Sequence, residues 1–330
     1  MRAAVYERFG GPDVIYIEER PRPTVGASDV LVRVYASTVS IADYRMRSAD
    51  LPPGFGPIGR LMIGVRGPRH TVLGMDFAGI VEEVGPAVTR FEVGDRVIGM
   101  PGSSFGSHAE FVSMNESGAI ALAPAGWSLE NAVTLVFGGT TMLPFLRRAF
   151  APGSSDLRGR TVLVNGASGS TGTAAVQLAR HLGARVIGVS SARNLALVES
   201  LGAERVIDYG VTDFTKEQTY DVIVDCVGNA PFARVRGALN PGGALLLVVA
   251  SLGGLITAPL HSRRSGLVVS AAPITPTAED LGTLARLTEA GELVPVIDRS
   301  YEFDEIREAH RYVGEHRKRG NLVLRITPES

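Results

Sequence analysis

The sequence predicts an α/β protein in which a β-rich region precedes a doubly wound parallel sheet. Two observations predict it. Residues 161–180 run from an apolar strand, Thr161-Val162-Leu163-Val164-Asn165, through the turn Gly166-Ala167-Ser168-Gly169-Ser170-Thr171-Gly172 into a helix. A second strand at 185–190 follows at the spacing of a βαβ unit. Beyond it, strands near 205–207, 221–226 and 243–249 alternate with helices near 193–201 and 230–239. Such alternation gives parallel strands joined by crossover helices, with ligands at the strands' carboxyl ends.

The first 123 residues read as short strands. Apolar runs such as Val30–Tyr35 and Ala78–Val84 are punctuated by Gly, Pro and Asp. Residues 51–70 mix Pro52, Pro53, Pro57 and Pro68 with glycines and with Phe55, Leu61, Met62 and Ile63. They read as a long loop with room for one short helix. That loop either lines a substrate mouth or packs on the surface or a partner subunit. From Leu129 the apolar period lengthens into a helix reaching about Phe150. After residue 265 come a strand at 266–270, two helices and a last strand at 321–326.

A chain of 330 residues exceeds one ordinary domain, so two are expected. A net charge of −1 gives no global pull toward nucleic acid or an anionic membrane. Cys226 is the single cysteine, which excludes an intramolecular disulfide and a zinc cluster of several thiolates. Met1–Glu7 lacks the apolar core of a signal peptide, and no run is long enough for a membrane span. The expectation is a cytoplasmic protein that handles a small molecule.

The glycine-rich turn carries the chemistry. It reads as GxGxxG with Ala167 in the first glycine position. Small residues let the backbone approach a pyrophosphate, and the following helix offers free N–H groups to it. A dinucleotide would then follow the strand ends. Ser168, Gly169, Ser170, Thr171 and Gly172 stand at the pyrophosphate, Val227 ends the fourth strand, and Ala250 and Ser251 end the fifth. An NAD site needs an acid after the second strand to hold the ribose 2′-hydroxyl. Here that strand ends in Ser190-Ser191-Ala192-Arg193, without an acid before Glu199. Serine hydroxyls and a guanidinium suit a 2′-phosphate instead, so Ser190, Ser191 and Arg193 point to NADPH.

From end to end the chain resembles the medium-chain dehydrogenase/reductase superfamily, in its zinc-free quinone oxidoreductase and enoyl reductase branch. The matching pieces are Met1–Val5, Ser37–Arg47, Leu73–Val81, Phe91–Val97, the nucleotide-binding turn and Arg319–Val323. The resemblance implies a GroES-like β-rich catalytic domain at 1–123 and an inserted Rossmann domain at 124–265. Residues 266–330 would return to the first domain. It also implies a homodimer. Thr141 matches a threonine near the nicotinamide, Tyr209 a tyrosine that reaches the 2′-phosphate, and Asn321 a lysine or asparagine near the cofactor phosphates.

Zinc-dependent relatives carry a cysteine near Ser40, a histidine at Met75 and a thiolate near Phe137–Gly138. This chain offers hydroxyl, thioether and phenyl there, and no metal is expected. Asp76 keeps a carboxylate, either near the cleft or as a structural acceptor. The reaction implied is hydride transfer to a quinone or an activated C=C bond. It requires a group that stabilises negative charge on an oxygen. Ser40, Tyr44, Arg45 and Arg47 lie on the segment that borders the nicotinamide and are the catalytic candidates. Relatives often have asparagine at Ser40 and an aromatic at Arg45, so the pocket here departs from theirs. The alternatives are a zinc-free carbonyl or alcohol oxidoreductase and a non-catalytic NADPH-binding sensor.

Overall fold

The computed structural model describes residues 1–151 and 153–328. Its N-terminal part comprises β1 (Arg2–Val5), β2 (Tyr16–Glu19), β3 (Asp29–Thr38), α1 (Ile41–Ser48), α2 (Gly56–Ile63), β4 (Phe77–Val84), β5 (Arg96–Met100), β6 (Phe111–Asn115) and β7 (Ala119–Leu122). The middle runs α3 (Leu129–Val133), α4 (Val136–Arg147), β8 (Thr161–Asn165), α5 (Ser170–His181), β9 (Arg185–Ser190), α6 (Leu195–Ser200), β10 (Arg205–Asp208), β11 (Tyr220–Asp225), α7 (Phe232–Val235), β12 (Leu239–Leu247), α8 (Leu252–Ser265) and β13 (Val268–Ser270). The chain closes with α9 (Ala278–Glu289), β14 (Ile297–Glu302), α10 (Ile306–Gly314) and β15 (Asn321–Arg325).

Two large sheets result. One has six parallel strands in the order β10-β9-β8-β11-β12-β13. Every residue of β8 is buried, because helices cover both faces of a parallel sheet. Strands after β8 step outward one way and strands after β11 the other. The order therefore reverses between β8 and β11, where an open α/β sheet leaves a crevice. The other sheet takes the order β14-β15-β3-β4-β5-β7, with β6 also on β3. Here β15 closes antiparallel onto β3, and Val323 pairs with Thr38, so the chain's end joins its beginning.

Local chemistry explains where elements differ from expectation. The single helix expected over 129–150 is two helices. Thr134 Oγ1 donates to Asn131 O at 2.7 Å, a side chain competing with the helical backbone at the break. The helix expected over 230–239 shrinks to α7, which Pro231 starts and which tightens into a 3₁₀ turn at 236–238. The loop of 51–70 contains α2, and β14 and α8 were not foreseen. The strand expected beyond 265 stays in the parallel sheet: β13 pairs with β12, and Leu267 and Val269 bury into the core under it. Among the described residues, no helix is long and apolar enough to cross a membrane.

Candidate active site

The glycine-rich turn leaves β8 at the point where the sheet order reverses. Gly166 has φ +81°, a conformation that favours glycine. Gly172 lies so close to the turn that a Cβ there would stand 2.1 Å from Gly166 O. The start of α5 is thereby pressed onto the turn, and its N-terminal N–H groups face the crevice. Asn194 ties the turn to the end of β9, its Nδ2 donating to Ser168 Oγ at 3.0 Å and to Ser191 Oγ at 3.3 Å.

A cavity of about 790 Å³ opens over this turn. Ser168, Gly169, Ser170, Thr171, Ser190, Ser191, Arg193, Tyr209 and Val227 line it, as the sequence reading expects of a dinucleotide site, and so does Arg45. A second cavity, of about 360 Å³, lies over the ends of β11 and β12 and takes Ala250 and Ser251. The two cavities share Arg45, Val227 and Val249. They therefore meet at a junction with two apolar walls and one guanidinium.

Six candidates line neither cavity. Ser40 is buried and caps α1: Asp43 N donates to Ser40 Oγ at 3.2 Å, while Ser40 N and Oγ donate to Asp43 Oδ2 at 2.9 and 2.6 Å. This is a capping box, and it sets the direction of the helix that carries Arg45. Tyr44 donates to Asp50 Oδ2 at 3.3 Å and meets His316 edge-on, with ring centroids 5.7 Å apart. Arg47 is 2% exposed and lies against the Tyr44 ring, with burial pushing its basicity down. Thr141 Oγ1 donates back to Phe137 O within α4, at 2.7 Å. Gly172 acts through close packing, and Asn321 braces the start of α5 by accepting from Ser170 Oγ.

The sequence reading missed one wall of the first cavity. His316, Arg317 and Lys318 line it, and Arg193 Nη2 donates to Arg317 O at 3.0 Å. Lys318 Nζ donates to Gly320 O at 3.0 Å, and burial pushes its pKa down to about 8 despite Asp298, Asp76 and Asp43. The basic run His316-Arg317-Lys318-Arg319 was the available signal. With Arg193 it gives the cavity a cationic rim. The acid on that rim, Asp213, is already engaged by Arg234 at 3.4 Å and by Thr215. Hydroxyls, a helix N-terminus and cations together fit a dinucleotide bearing an extra phosphate. Ser40, Met75 and Phe137 supply no thiolate or imidazole for zinc. Among the described residues no three His, Cys, Asp or Glu stand together as a metal set.

Comparison with known proteins agrees with this fold. The family described as alcohol dehydrogenase GroES-like domain matches residues 26–124, and the family described as zinc-binding dehydrogenase matches residues 201–324. The chain is 29% identical, over 97% of its length, to the quinone oxidoreductase of Pseudomonas aeruginosa, and covers 98% of that protein. It is 28% identical, over 99% of its length, to the chloroplastic NADPH-dependent alkenal/one oxidoreductase of Arabidopsis thaliana, covering 80% of it. The solved structure of a quinone oxidoreductase from Coxiella burnetii superposes with a TM-score of 0.86 at 26% identity, over 99% of each chain.

Proposed function

Because this chain belongs to the medium-chain dehydrogenase/reductase superfamily, among the quinone oxidoreductases and enoyl reductases, we propose that it is an NADPH-dependent reductase of quinones or activated C=C bonds. The observation that carries the reading is that the cavity over the glycine-rich turn and a second, largely apolar one share Arg45, Val227 and Val249. When bound, NADPH supplies a hydride, which with one proton from solvent reduces the acceptor and leaves NADP⁺.

The chain's own residues set the conditions. Ser168, Ser170 and Thr171 with the N-terminus of α5 hold the pyrophosphate. Ser190, Ser191, Arg193 and Tyr209 hold the 2′-phosphate. Val227 and Val249 give the junction its apolar walls, against which a bound acceptor displaces water. Arg45 sets a cation at the junction, opposite negative charge carried by the acceptor. Ser40 fixes α1 through its cap, while Tyr44, Arg47, Thr141, Gly172 and Asn321 support the walls. The same reading divides the chain into a catalytic unit, residues 1–123 with the C-terminal return, and a cofactor unit that ends after Ser270, where β13 completes the sheet. It extends to a cytoplasmic homodimer joined along the β13 edge, where Val268 is 40% exposed.

Loss of NADPH absorbance across a panel of quinones, enones and aldehydes tests the reading. Turnover of quinones or enones is expected. Turnover of aldehydes alone would replace it with a carbonyl reductase, and tight NADPH binding without any turnover would replace it with a sensor. Activity is also expected to survive exhaustive chelation, because no imidazole or thiolate stands where zinc would need one. One zinc per chain by elemental analysis would refute that.

NADPH is expected to bind at least about tenfold tighter than NADH, a gap of about 1.4 kcal/mol. Arg193→Ala removes a charge-assisted contact, so NADPH binding should weaken about ten- to a hundredfold while NADH binding barely changes. Fluorescence titration of both cofactors gives the ratio. Equal loss of both would assign Arg193 to the fold, through its bond to Arg317 O.

A further inference from the structure

Arg45 is a half-buried cation without a counter-ion. It lies in the last turn of α1 and lines both cavities at their junction. No hydrogen bond or ion pair reaches it among the described residues. Burial pushes its basicity down, and Asp50 acts on it only through space. Asp50 is exposed and accepts instead from Tyr44 OH at 3.3 Å.

The acid lining the second cavity cannot serve it either. Asp225 Oδ1 accepts from Asn165 Nδ2 at 2.9 Å, Val227 N at 3.1 Å and Gly228 N at 3.0 Å, and Oδ2 accepts from Ala230 N at 2.9 Å. The rest of the second cavity is largely apolar: Pro52, Pro53, Phe232, Leu247, Val249 and Val269. His261 adds no acid, as its ring stacks on Phe232 with centroids 4.2 Å apart. A developing oxyanion exists only during turnover, whereas Arg45 lines both cavities with no substrate present. Holding a cation partly out of water without a partner is costly. A ligand that brings its own anion relieves that cost.

We propose that the substrate carries a permanent anionic group of the carboxylate type on a short hydrocarbon body, and that Arg45 is the specificity-determining residue that reads it. The proposal rests on the reductase reading above. In it the apolar walls hold the hydrocarbon, the guanidinium holds the carboxylate, and the C=C bond lies at the junction. A guanidinium takes a carboxylate by two parallel N–H···O bonds, which a neutral amide cannot reproduce.

The test uses a matched pair of enones, (E)-6-oxohept-4-enoate and its primary amide, with NADPH. Wild type should prefer the acid by about tenfold or more in kcat/KM, mostly through KM. Arg45→Met should bring the acid-to-amide ratio to about one, and Arg45→Lys should restore part of it. The ratio cancels any general damage to the site. The saturated 6-oxoheptanoate, titrated by calorimetry into cofactor-free protein, should bind wild type and lose about tenfold in affinity with Arg45→Met. Equal handling of acid and amide by wild type, or a ratio unmoved in Arg45→Met, would overturn the proposal. Arg45-dependent binding of 6-oxoheptanoate without oxidation of NADPH by either enone would support the anion site and sink the reductase reading instead.

Discussion

Replacing Asp225 by alanine is expected to cost the protein about 3–5 kcal/mol of stability. Asp225 ends β11, is 0% exposed, and stands at the reversal of the parallel sheet. Its two oxygens accept from four donors: the Asn165 side chain and the backbone N–H groups of Val227, Gly228 and Ala230. Alanine leaves all four facing a void. An unsatisfied buried donor costs about 1–3 kcal/mol, and water entering the gap recovers part of the sum. Asp225→Asn should cost about half as much, because the amide keeps one acceptor but turns an N–H₂ toward a donor. Far-UV circular dichroism across a denaturant titration gives both numbers. A loss below about 1 kcal/mol for the alanine variant would mean that the strand end holds its shape without the carboxylate. The turn that follows carries Val227, so the same variant should also weaken cofactor binding.

The second large effect depends on pH. Asp76 is 0% exposed, and burial raises its pKa from 3.8 to about 7. Thr38 N and Thr38 Oγ1, each donating at 2.7 Å, pull the other way, and nearby Asp43 pushes further up. Between these two values the folded protein keeps a proton that the unfolded chain releases. The contribution is therefore fully present below the unfolded value and is lost as pH rises toward 7. The shift amounts to about 4 kcal/mol. Asp76→Asn removes the titration and keeps an oxygen for Thr38 N. The variant should match wild type near pH 4 and exceed it by about 4 kcal/mol near pH 8. Denaturation of both proteins at several pH values yields the difference curve. A flat difference would show that Asp76 titrates alike in both states.

The parallel sheet was legible in the sequence because its strands are buried on both faces. Such strands appear as unbroken apolar runs, like Val162-Leu163-Val164 and Val222-Ile223-Val224. The turn after β8 was legible because its glycines answer to local geometry. By contrast, α8 was hidden: its cap Ser251, its first-turn Gly253 and Gly254 and its internal Pro259 all read as loop. The cationic rim was hidden for another reason. Arg193 meets Arg317 across 124 positions, a contact made only when β15 carries the chain end back to β3. Ser40 shows a signal that was visible but taken differently. The spacing Ser40-x-x-Asp43 is that of a capping box, and the structure uses it as one. The Arg45 side chain, two residues beyond Asp43, reaches the junction because that cap fixes where α1 begins.

The junction also bears on how such a protein can change over evolutionary time. On the proposed reading the cofactor cavity is walled by 166–171, 190–193 and 316–318, whereas the other cavity draws on 52–53 and 251–261. Among the described residues, Arg45, Val227 and Val249 alone serve both cavities. If the proposed reading holds, mutations in the second set of segments can explore new acceptors while the reductant's berth stays as it is. Drift at any of the three shared positions alters both at once, and selection should hold these three more tightly than their neighbours on either side.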